Sequence, residues 1–561
     1  MPGVAATDKL DAQVLQWIST DPDPAMQAEL RDLLERGERE DLEERFAHGL
    51  SFGTAGLRGR LGAGPARMNV ANVRRASAGL AQHLLDSVDG ARDAGVVVGH
   101  DARHGSARFA QEAAAVFSGA GLRTYRLPPL SPTPLVAFAV RHLGCAAGVM
   151  VTASHNPPQD NGYKVYLGDG AQISPPADEQ IAAAIERAAP ATELPLGDGG
   201  VQTGEQVAEA YLSAILAALP DADARDVRLA YTPLHGVGAA LGLEALARAG
   251  FPAPHVVAAQ AQPDPDFPTI ERPNPEEPGT LDLGIAEARA HDADLLLVHD
   301  PDADRLAVAI PGPDGWRRLH GDETGALLAD FLLEHCEDPR HALLVTTIAS
   351  STLLSHMAEA AGARYTETLT GFKWLMRALP DAPEHRLVLA YEEALGYAVS
   401  DVVRDKDGIS AALVVAQLAA TEKRAGRTLA DRLDAIAQRF GLFATDQLTL
   451  EFEGAGALPR MRRIIDGLRA EPPATLLGRP LEYLEDLAAG TRRHADGREE
   501  LLDIPRADVL VLRTPDVRVV VRPSGTEPKL KTYLEVVAAS HDEAVDQLAR
   551  LRAELTEAIG A

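Results

Sequence analysis

Short, wholly apolar runs, bounded for the most part by Gly or Asp, alternate along this chain with segments rich in Ala, Leu, Arg and Glu. Four of these runs are AGVVVGHD, ADLLLVHD, HALLVTT and LVLAYEE. Strands that are buried on both faces of a sheet have this composition, and their alternation with helices favours α/β layers. Ligands of such sheets bind beyond the carboxyl ends of the strands. We therefore expect an α/β protein with its functional residues at strand ends.

The chain is too long for one hydrophobic core, since 561 residues correspond to about three to five domains. Changes of pattern predict three similar α/β domains at residues 1–220, 221–320 and 321–440, the first opening with a helical lead-in at 7–48. Residues 441–561 are predicted to form a smaller α+β domain. Its strands lie in ADVLVLRTPDVRVVVR, and a closing helix follows from about Asp542 to Ile559.

Composition argues against some classes of function. The chain carries 54 basic and 82 acidic side chains, and its net charge of −28 would repel a nucleic-acid backbone. The two cysteines, Cys145 and Cys336, have no second Cys at metal-ligand spacing and are expected to be buried thiols. Without a signal-peptide pattern or a long apolar run, we expect a cytoplasmic protein with neither a membrane nor a nucleic-acid partner.

Three aspartates at alternate positions, Asp300, Asp302 and Asp304, closely follow one of the apolar runs. Carboxylates this close together can converge on one hard cation such as Mg²⁺, and they repel one another without it. An EF-hand calcium loop is excluded, because Arg305 and Pro311 occupy the positions that need Gly and Glu. A solvated acidic turn is the alternative interpretation.

A second motif, TASHNPP, places Ser154 and His155 on a loop with two prolines, and Lys164 follows ten residues after the serine. A hydroxyl beside an imidazole and near an ammonium is suited to carrying a phosphoryl group. No glycine flanks Ser154, which disfavours the nucleophile elbow of a serine hydrolase. The alternative is a serine that merely forms a turn before Asn-Pro.

The third motif, RPSGTEPK, lies between two predicted strands of the last domain. Its backbone N–H groups can form a nest for an anion, and Arg522 can make a bidentate pair with phosphate. A plain hairpin turn is the alternative. Four weaker clusters, each compatible with ordinary loop chemistry, are GTAGLRG at 53–59, DARH at 101–104, TGFK at 370–373 and EEALG at 392–396.

In this order, the three motifs resemble those of the α-D-phosphohexomutases, the family of phosphoglucomutase and phosphomannomutase. The resemblance extends from about Trp17 to the C-terminus. The segments FGTAGLRG, TPLHG, PNPEEP, TGFKW and EEALGY are most similar to the branch of phosphoglucomutase 2 and phosphopentomutase-type enzymes. The family implies three α/β domains and a smaller C-terminal domain similar to the TATA-binding protein, arranged around a central cleft.

The resemblance also implies residue roles. Ser154 would carry the phosphoryl group, and Mg²⁺ would be held by an oxygen of that phosphoserine together with Asp300, Asp302 and Asp304. The residues implied to surround the transferring group are Arg58, His155, Lys164 and Arg305, with His155 or Lys164 accepting the hydroxyl proton. The residues implied to bind the sugar or its second phosphate are Lys373, Glu392, Arg522, Ser524, Gly525, Thr526 and Lys529. Arg103, from the DARH cluster, is a further residue expected to bind the substrate.

The implied reaction interconverts glucose 1-phosphate and glucose 6-phosphate, with glucose 1,6-bisphosphate as intermediate and activator. Mannose or pentose phosphates are alternative main substrates, because many relatives have a serine where this chain has Ala394. A metal-dependent sugar phosphatase and a non-catalytic sugar-phosphate sensor are competing hypotheses. The expected partners are small-molecule sugar phosphates, and the expected assembly is a monomer or a weak dimer.

Overall fold

The structure is a computed structural model that describes residues 2–53, 56–452, 456–523 and 529–559. The chain divides into two compact units. Unit 1 comprises Met1–Arg318 with Gly396–Thr421, and unit 2 comprises Leu319–Leu395 with Glu422–Ala561. The four-domain prediction did not anticipate that residues 396–421 group with the first half of the chain.

Three helices precede the first sheet and confirm the predicted helical lead-in. Asp23 begins the second of them by accepting a hydrogen bond from the backbone N–H of Ala25, and Pro24 occupies the first turn, where its missing N–H is not needed. Gly37 ends that helix in the left-handed conformation, at φ +71°. The three helices are α1 (Pro2–Thr20), α2 (Pro24–Arg36) and α3 (Arg39–Phe46).

The first sheet of unit 1 has six strands in the order β1-β5-β4-β2-β3-β6. Strands β2 and β4 are parallel neighbours, so their carboxyl ends meet at one edge of the sheet. That edge carries the segments DARH and TASHNPP. The elements are β1 (Leu57–Arg60), α4 (Val70–Ser87), α5 (Ala91–Ala94), β2 (Val96–His100), α6 (Ser106–Gly119), β3 (Thr124–Arg126), α7 (Thr133–Leu143), β4 (Ala147–Val151), β5 (Asp160–Leu167), α8 (Ala177–Arg187), β6 (Val201–Gln202) and α9 (Gln206–Ala217).

The second sheet of unit 1 has five strands in the order β11-β10-β9-β7-β8. The buried strand β9 pairs in parallel with β7 and antiparallel with β10, and the three aspartates lie in the loop between β9 and β10. The elements are β7 (Leu229–Thr232), α10 (Ala239–Arg248), β8 (His255–Val256), a 3₁₀ helix (Ala258–Gln260), α11 (Asp282–Ala290), β9 (Leu295–His299), β10 (Leu306–Gly312) and β11 (Gly315–Arg318).

The third predicted domain contains β12 between the parallel strands β13 and β14. The apolar runs HALLVTT and LVLAYEE form β12 and β14, as predicted. The elements from this part of the chain are α12 (Gly321–Glu334), a 3₁₀ helix (Pro339–His341), β12 (Ala342–Thr347), α13 (Leu353–Ala361), β13 (Arg364–Thr368), α14 (Phe372–Arg377), β14 (Arg386–Glu392), β15 (Gly396–Ala398), α15 (Gly408–Arg424) and α16 (Leu429–Phe440).

The C-terminal part of unit 2 is a seven-stranded sheet in the order β16-β24-β23-β22-β19-β20-β21. Its strands β22 and β23 and the closing helix α18 confirm the predicted strands and helix. The elements are β16 (Leu442–Glu451), α17 (Ala457–Ala470), β17 (Thr475–Leu476), β18 (Arg479–Pro480), β19 (Tyr483–Asp486), β20 (Thr491–His494), β21 (Glu499–Leu501), β22 (Leu510–Arg513), β23 (Val517–Pro523), β24 (Lys529–Ala538) and α18 (His541–Ile559).

Within unit 2, residues of the third and fourth predicted domains share one contact region, which we call the joint. Trp374 packs against its apolar part. The apolar members are Ile348, Ala349, Leu369, Leu487, Val509, Val511, Val520 and Tyr533. The polar members are Asp322, Ser350, Ser351, Thr352, Glu367, Tyr391, Thr445, Arg518 and Glu535.

Two expectations about individual residues have different outcomes. Cys145 is a buried thiol, as predicted. The prediction is wrong for Cys336, which is only partly buried because it follows the C-terminal end of α12, where the helix has left the core. Among the helices that the structure describes, none combines the length and the apolar character needed to cross a bilayer.

Candidate active site

The loop after β9 holds Asp300, Asp302 and Asp304, here called the aspartate cluster. All three side chains are fully buried, and one carboxylate oxygen from each lies within 4.8 Å of the others. A solvated acidic turn is therefore wrong as an interpretation of this segment. Burial, reinforced by the negative charge of Asp304, raises the pKa of both Asp300 and Asp302. Burial opposes ionisation of Asp304 as well, but Lys164, Lys406 and Arg305 together lower its pKa.

The donor set of the aspartate cluster fits a hard divalent cation. Oδ1 of Asp302 and Oδ1 of Asp304 are buried, yet neither accepts a hydrogen bond from any residue that the structure describes. Leaving a buried acceptor without a donor is costly, and a cation bound by oxygen ligands removes that cost. Carboxylates are the ligands that Mg²⁺ prefers, and the unused oxygens offer it two positions.

Ser154 follows β4 on the Ser154 loop, which comprises residues 152–159. Its hydroxyl donates a hydrogen bond to Oδ2 of Asp300 at 2.8 Å. Nδ1 of His155 lies 3.1 Å from the Ser154 hydroxyl oxygen. The backbone N–H of Ser154 donates to Oγ1 of Thr152, so the residue does take part in a turn. The turn nevertheless directs the hydroxyl at the aspartate cluster, which is where a phosphoryl carrier paired with a cation has to be.

His155 and Lys164 are the two candidate proton acceptors, and their protonation differs. Burial, followed by the positive charges of Arg305 and Arg58, holds the pKa of His155 well below its usual range, so its imidazole is neutral near pH 7. Nζ of Lys164 donates to Oδ2 of Asp302 at 2.7 Å and to Oδ2 of Asp304 at 2.8 Å. Burial alone would lower the pKa of Lys164, but these two carboxylates raise it.

Arg58 and Arg305 add positive charge to the same region of unit 1. Nη1 of Arg58 donates to Oδ1 of Asn156 at 3.0 Å, which ties β1 to the Ser154 loop. The backbone N–H of Arg305 donates to Oδ1 of Asp300 at 3.0 Å, and its guanidinium donates to Glu276 at 3.1 Å. The structure thus brings together the residues that the family resemblance implied for the transferring phosphoryl group.

Two further residues bind the aspartate cluster and were not identified from the sequence. Nζ of Lys406 lies 3.2 Å from Oδ2 of Asp304, and the Thr133 hydroxyl donates to Oδ2 of Asp302 at 2.5 Å. The segment RDKDG around Lys406 offered a signal, since it places a lysine between two aspartates just before α15. No comparable signal marks Thr133, whose contact depends entirely on the fold.

Arg103 was expected to bind the substrate, but its hydrogen bonds have other acceptors. Its guanidinium donates to the backbone carbonyls of Ser154, Asn156, Pro157 and Asp160. The side chain is almost completely buried, with about 1% of its surface exposed. The hydrogen bonds that the guanidinium donates to described residues therefore go to the protein main chain.

The residues implied to bind the sugar lie in unit 2. Glu392 ends β14, and Lys373 lies in the first turn of α14, with Nζ 5.3 Å from the ring centroid of Trp374. Both Lys373 and Glu392 are largely buried, at 9% exposure each. They therefore belong to the interior of unit 2, where a charged group requires polar neighbours.

Two of the residues implied to bind the second phosphate lie at strand ends, Arg522 near the end of β23 and Lys529 at the start of β24. Arg522 donates to the Tyr533 hydroxyl at 3.3 Å and 3.2 Å, and Lys529 pairs with Glu451 at 3.0 Å. The remaining predicted members, Ser524, Gly525 and Thr526, lie outside the residues that the structure describes. Arg522 and Lys529 thus flank the segment predicted to form the anion nest.

Comparison with known protein families assigns the whole architecture. Four phosphoglucomutase/phosphomannomutase domain models match consecutive parts of the chain: the alpha/beta/alpha domains I, II and III at residues 49–192, 209–312 and 320–440, and the C-terminal domain at residues 481–555. These matches confirm the predicted four-domain α/β fold.

Curated relatives extend over most of the chain. A Haemophilus influenzae protein named "Probable phosphomannomutase" is 39% identical, over 86% of this chain and 98% of its own length. A Schizosaccharomyces pombe protein named "Probable phosphoribomutase" is 37% identical, over 94% of this chain and 93% of its own length. A Staphylococcus haemolyticus phosphoglucomutase is 33% identical, over 88% of this chain and 91% of its own length. A solved structure of a phosphoglucomutase/phosphomannomutase family protein from Burkholderia thailandensis has a TM-score of 0.67 at 22% identity. The match covers 90% of this chain and 97% of that protein, and it supports the fold alone.

The chain therefore belongs to the phosphoglucomutase/phosphomannomutase family of the α-D-phosphohexomutases. Its activity is that of a phosphohexomutase-type isomerase. The predicted family is thereby confirmed, and the identity of the sugar becomes the open part of the function.

Proposed function

We propose that this protein interconverts glucose 1-phosphate and glucose 6-phosphate through a phosphorylated Ser154 and glucose 1,6-bisphosphate. The observation that carries the proposal is the Ser154 hydroxyl, hydrogen-bonded to a buried aspartate cluster that retains two unused carboxylate oxygens. A non-catalytic sugar-phosphate sensor has no need of this arrangement, because binding alone uses neither a phosphoryl carrier nor a cation beside it.

The reaction consists of two phosphoryl transfers with no net consumption of water. In the first, the bond between Ser154 Oγ and phosphorus breaks while a bond forms from phosphorus to the free hydroxyl of the sugar monophosphate. His155 accepts the hydroxyl proton, because its pKa is lowered and its imidazole is neutral, whereas the pKa of Lys164 is raised and its ammonium has no lone pair to offer. After the bisphosphate has turned over, its other phosphoryl group passes to Ser154 Oγ, and the proton returns to the sugar oxygen that loses phosphorus. Positioning and charge neutralisation supply most of the catalysis in such transfers.

Mg²⁺ would be held by Asp300, Asp302 and Asp304 together with a phosphoserine oxygen. When bound, it supplies positive charge that offsets the charge developing on the transferring group. Arg58, Arg305 and Lys406 contribute further positive charge from the protein itself. In unit 2, we assign Lys373 and Glu392 to the sugar, and Arg522, Lys529 and the segment Ser524–Thr526 to the phosphate that is not reacting.

The names of the relatives support more than one sugar, because they include a mannose, a ribose and a glucose enzyme. We choose glucose as the best substrate and expect measurable turnover of mannose or pentose phosphates. The turnover of other sugars is expected because of Ala394. At this position, two residues after the sugar-binding glutamate, many relatives have a serine hydroxyl that this chain lacks. A site that lacks one hydrogen-bonding group discriminates less sharply between sugars. Ala394→Ser should therefore sharpen the preference for hexoses by about 1 kcal/mol, the value of one neutral hydrogen bond.

The test is a kinetic panel over the 1-phosphates of glucose, mannose, ribose and deoxyribose, with Mg²⁺ and bisphosphate present. Wild type should isomerise glucose 1-phosphate fastest, release little inorganic phosphate, and carry a phosphate on Ser154 by mass spectrometry. Ser154→Ala should lose turnover, whereas Ser19→Ala, an exposed serine of α1, should not. Inorganic phosphate as the main product would instead identify a sugar phosphatase, and a faster rate with mannose or ribose phosphate would replace the sugar that we propose.

A further inference from the structure

We propose that Arg103 is a positioning residue for phosphoryl transfer, which fixes the Ser154 loop through the main chain and does not contact the substrate. The inference rests on the proposed function, because it gives Arg103 a role only if Ser154 carries the phosphoryl group. It differs from the expectation drawn from the DARH segment of the sequence, which assigned Arg103 to the substrate.

The Arg103 guanidinium donates hydrogen bonds to four backbone carbonyl oxygens. Nη2 of Arg103 donates to the carbonyl of Ser154 at 2.7 Å and also to that of Asn156. Nη1 donates to the carbonyls of Pro157 at 2.8 Å and Asp160 at 3.2 Å. Three of these acceptors belong to the Ser154 loop and the fourth begins β5. One side chain therefore hydrogen-bonds the loop along most of its length.

Arg103 is itself held on its other sides. Its backbone N–H donates to Oδ1 of Asp101 at 3.0 Å, and Nε lies 3.6 Å from Oδ2 of the same carboxylate. The Ser106 hydroxyl donates to Asp101 at 2.6 Å, which fixes the carboxylate in turn. The Phe267 ring covers the guanidinium, with its centroid 5.0 Å from Cζ. A guanidinium enclosed in this way has little freedom to turn toward a ligand.

This arrangement has a consequence for Ser154. Ser154 has φ +53°, in the left-handed region that residues other than glycine rarely adopt. This backbone conformation therefore needs support from its surroundings. The bond from Arg103 to the Ser154 carbonyl supplies such support, while the hydroxyl of the same residue reaches Asp300. Carbonyl oxygens repel a phosphate dianion, and Arg103 keeps four of them occupied with donors. Loss of this support should misplace the phosphorus atom and leave substrate binding largely intact.

The test compares Arg103→Lys and Arg103→Ala with wild type in the mutase assay. A lysine ammonium cannot reproduce the planar fork of two nitrogens, so Arg103→Lys should lower kcat about 10- to 100-fold, the scale of a small displacement of reacting groups. KM should stay within about twofold, because a residue that acts only on the reaction step changes kcat without changing binding. Added guanidinium ion at millimolar concentration should restore part of kcat to Arg103→Ala and none to Arg103→Lys.

Arg123→Lys is the matched control, because that arginine is more than half exposed and, among the described residues, its guanidinium makes only a long ion pair with Asp93. It should retain wild-type kcat, KM and melting temperature. Three outcomes would overturn the inference: wild-type kcat in Arg103→Lys, a raised KM with kcat unchanged, or a fall in kcat that guanidinium ion fails to relieve in Arg103→Ala. An inactive wild type, or one without phosphate on Ser154, refutes the proposed function itself, and the inference with it.

Discussion

The aspartate cluster of unit 1 and the joint of unit 2 both bury charged side chains, but their acceptors are used differently. In the aspartate cluster, an oxygen of Asp302 and an oxygen of Asp304 accept no hydrogen bond from the described part of the chain. In the joint, both oxygens of Glu535 accept bonds from Thr352, one from its backbone N–H at 2.7 Å and one from its hydroxyl at 2.6 Å. Carboxylates of the first kind have capacity left for a ligand, and those of the second kind do not.

The other charged members of the joint also have hydrogen-bond partners. Arg518 on β23 donates to the Ser350 carbonyl at 3.0 Å and to Glu367 at 2.8 Å. Asp322 at the start of α12 accepts from the backbone N–H of Ser351 at 2.7 Å and from the Thr445 hydroxyl at 2.9 Å. These bonds link segments of the third and fourth predicted domains within unit 2. Buried charge in the joint therefore links segments of the fold, whereas we assign the buried charge of the aspartate cluster to the proposed reaction.

The largest effect expected from this difference is on catalysis by the aspartate cluster. Asp302→Asn should lower kcat by at least about 100-fold, because under the proposed function the substitution removes a negatively charged ligand of Mg²⁺. The melting temperature in EDTA should stay level or rise, since removing one of three close carboxylates relieves their repulsion. Steady-state kinetics with Mg²⁺ and a thermal melt without it measure the two quantities.

Asp314→Asn is the control for this experiment, because Asp314 is an exposed residue of the turn between β10 and β11. It should leave both kcat and the melting temperature unchanged. If Asp302→Asn strongly lowered the metal-free melting temperature, the aspartate cluster would be structural, and the contrast with the joint would fail.

In the joint, the corresponding substitution should affect stability instead. Arg518→Met keeps the apolar stem but leaves the buried Ser350 carbonyl without its donor and unpairs Glu367, whose side chain is 31% exposed. We expect the free energy of unfolding to fall by about 1–3 kcal/mol, the cost of an unsatisfied polar group. Arg364→Met is the matched control on β13, where the arginine is exposed and makes one long bond to the Asp381 carbonyl. The control should change the free energy of unfolding by less than about 0.5 kcal/mol.

Trp374 offers a local readout of unfolding in the joint. The chain has three tryptophans, and the other two, Trp17 and Trp316, belong to unit 1. A Trp17→Phe, Trp316→Phe background therefore leaves fluorescence from the joint alone, which urea titration can follow. Equal stability of Arg518→Met and Arg364→Met in this background would mean that the ion pair contributes nothing to unit 2.

Contiguous motifs explain why the aspartate cluster and the residues of the Ser154 loop were predictable from the sequence. Asp300, Asp302 and Asp304 occupy alternate positions of one loop, and Ser154 and His155 are neighbours, so their chemistry is visible in a few letters. The fold class was equally accessible, because apolar runs such as LLLV determine buried strands locally. These predictions needed no information about which distant segments meet.

The residues that were missed depend on contacts between distant segments. Lys406 and Thr133 reach the aspartate cluster only because the loops before α15 and α7 meet the loop after β9. Arg103 was assigned to the substrate because the sequence shows a cation in a loop but not the carbonyls that surround it. The joint was not predicted at all, since its partners Arg518 and Glu367 lie in different predicted domains. The grouping of residues 396–421 with unit 1 is a long-range property of the same kind.

The smallest expected effect tests how completely the joint satisfies its charges. Burial raises the pKa of Asp322 from 3.8 to about 6, despite the hydrogen bonds that it accepts from Ser351, Thr445 and Tyr391. The folded unit thus binds this proton more tightly than the unfolded chain. The resulting stabilisation is complete below the unfolded pKa and is lost as the pH rises through about 6.

Between about pH 7.5 and about pH 5, wild type should gain about 1 kcal/mol of unfolding free energy relative to Asp322→Asn. Glu535, which also faces Asp322, is present in both proteins and largely cancels in the difference. Urea titrations followed by Trp374 fluorescence at the two pH values measure it, with the exposed Asp381→Asn as control. A difference that does not change with pH would mean that Asp322 stays ionised at the lower pH, so that its three hydrogen bonds fully offset its burial.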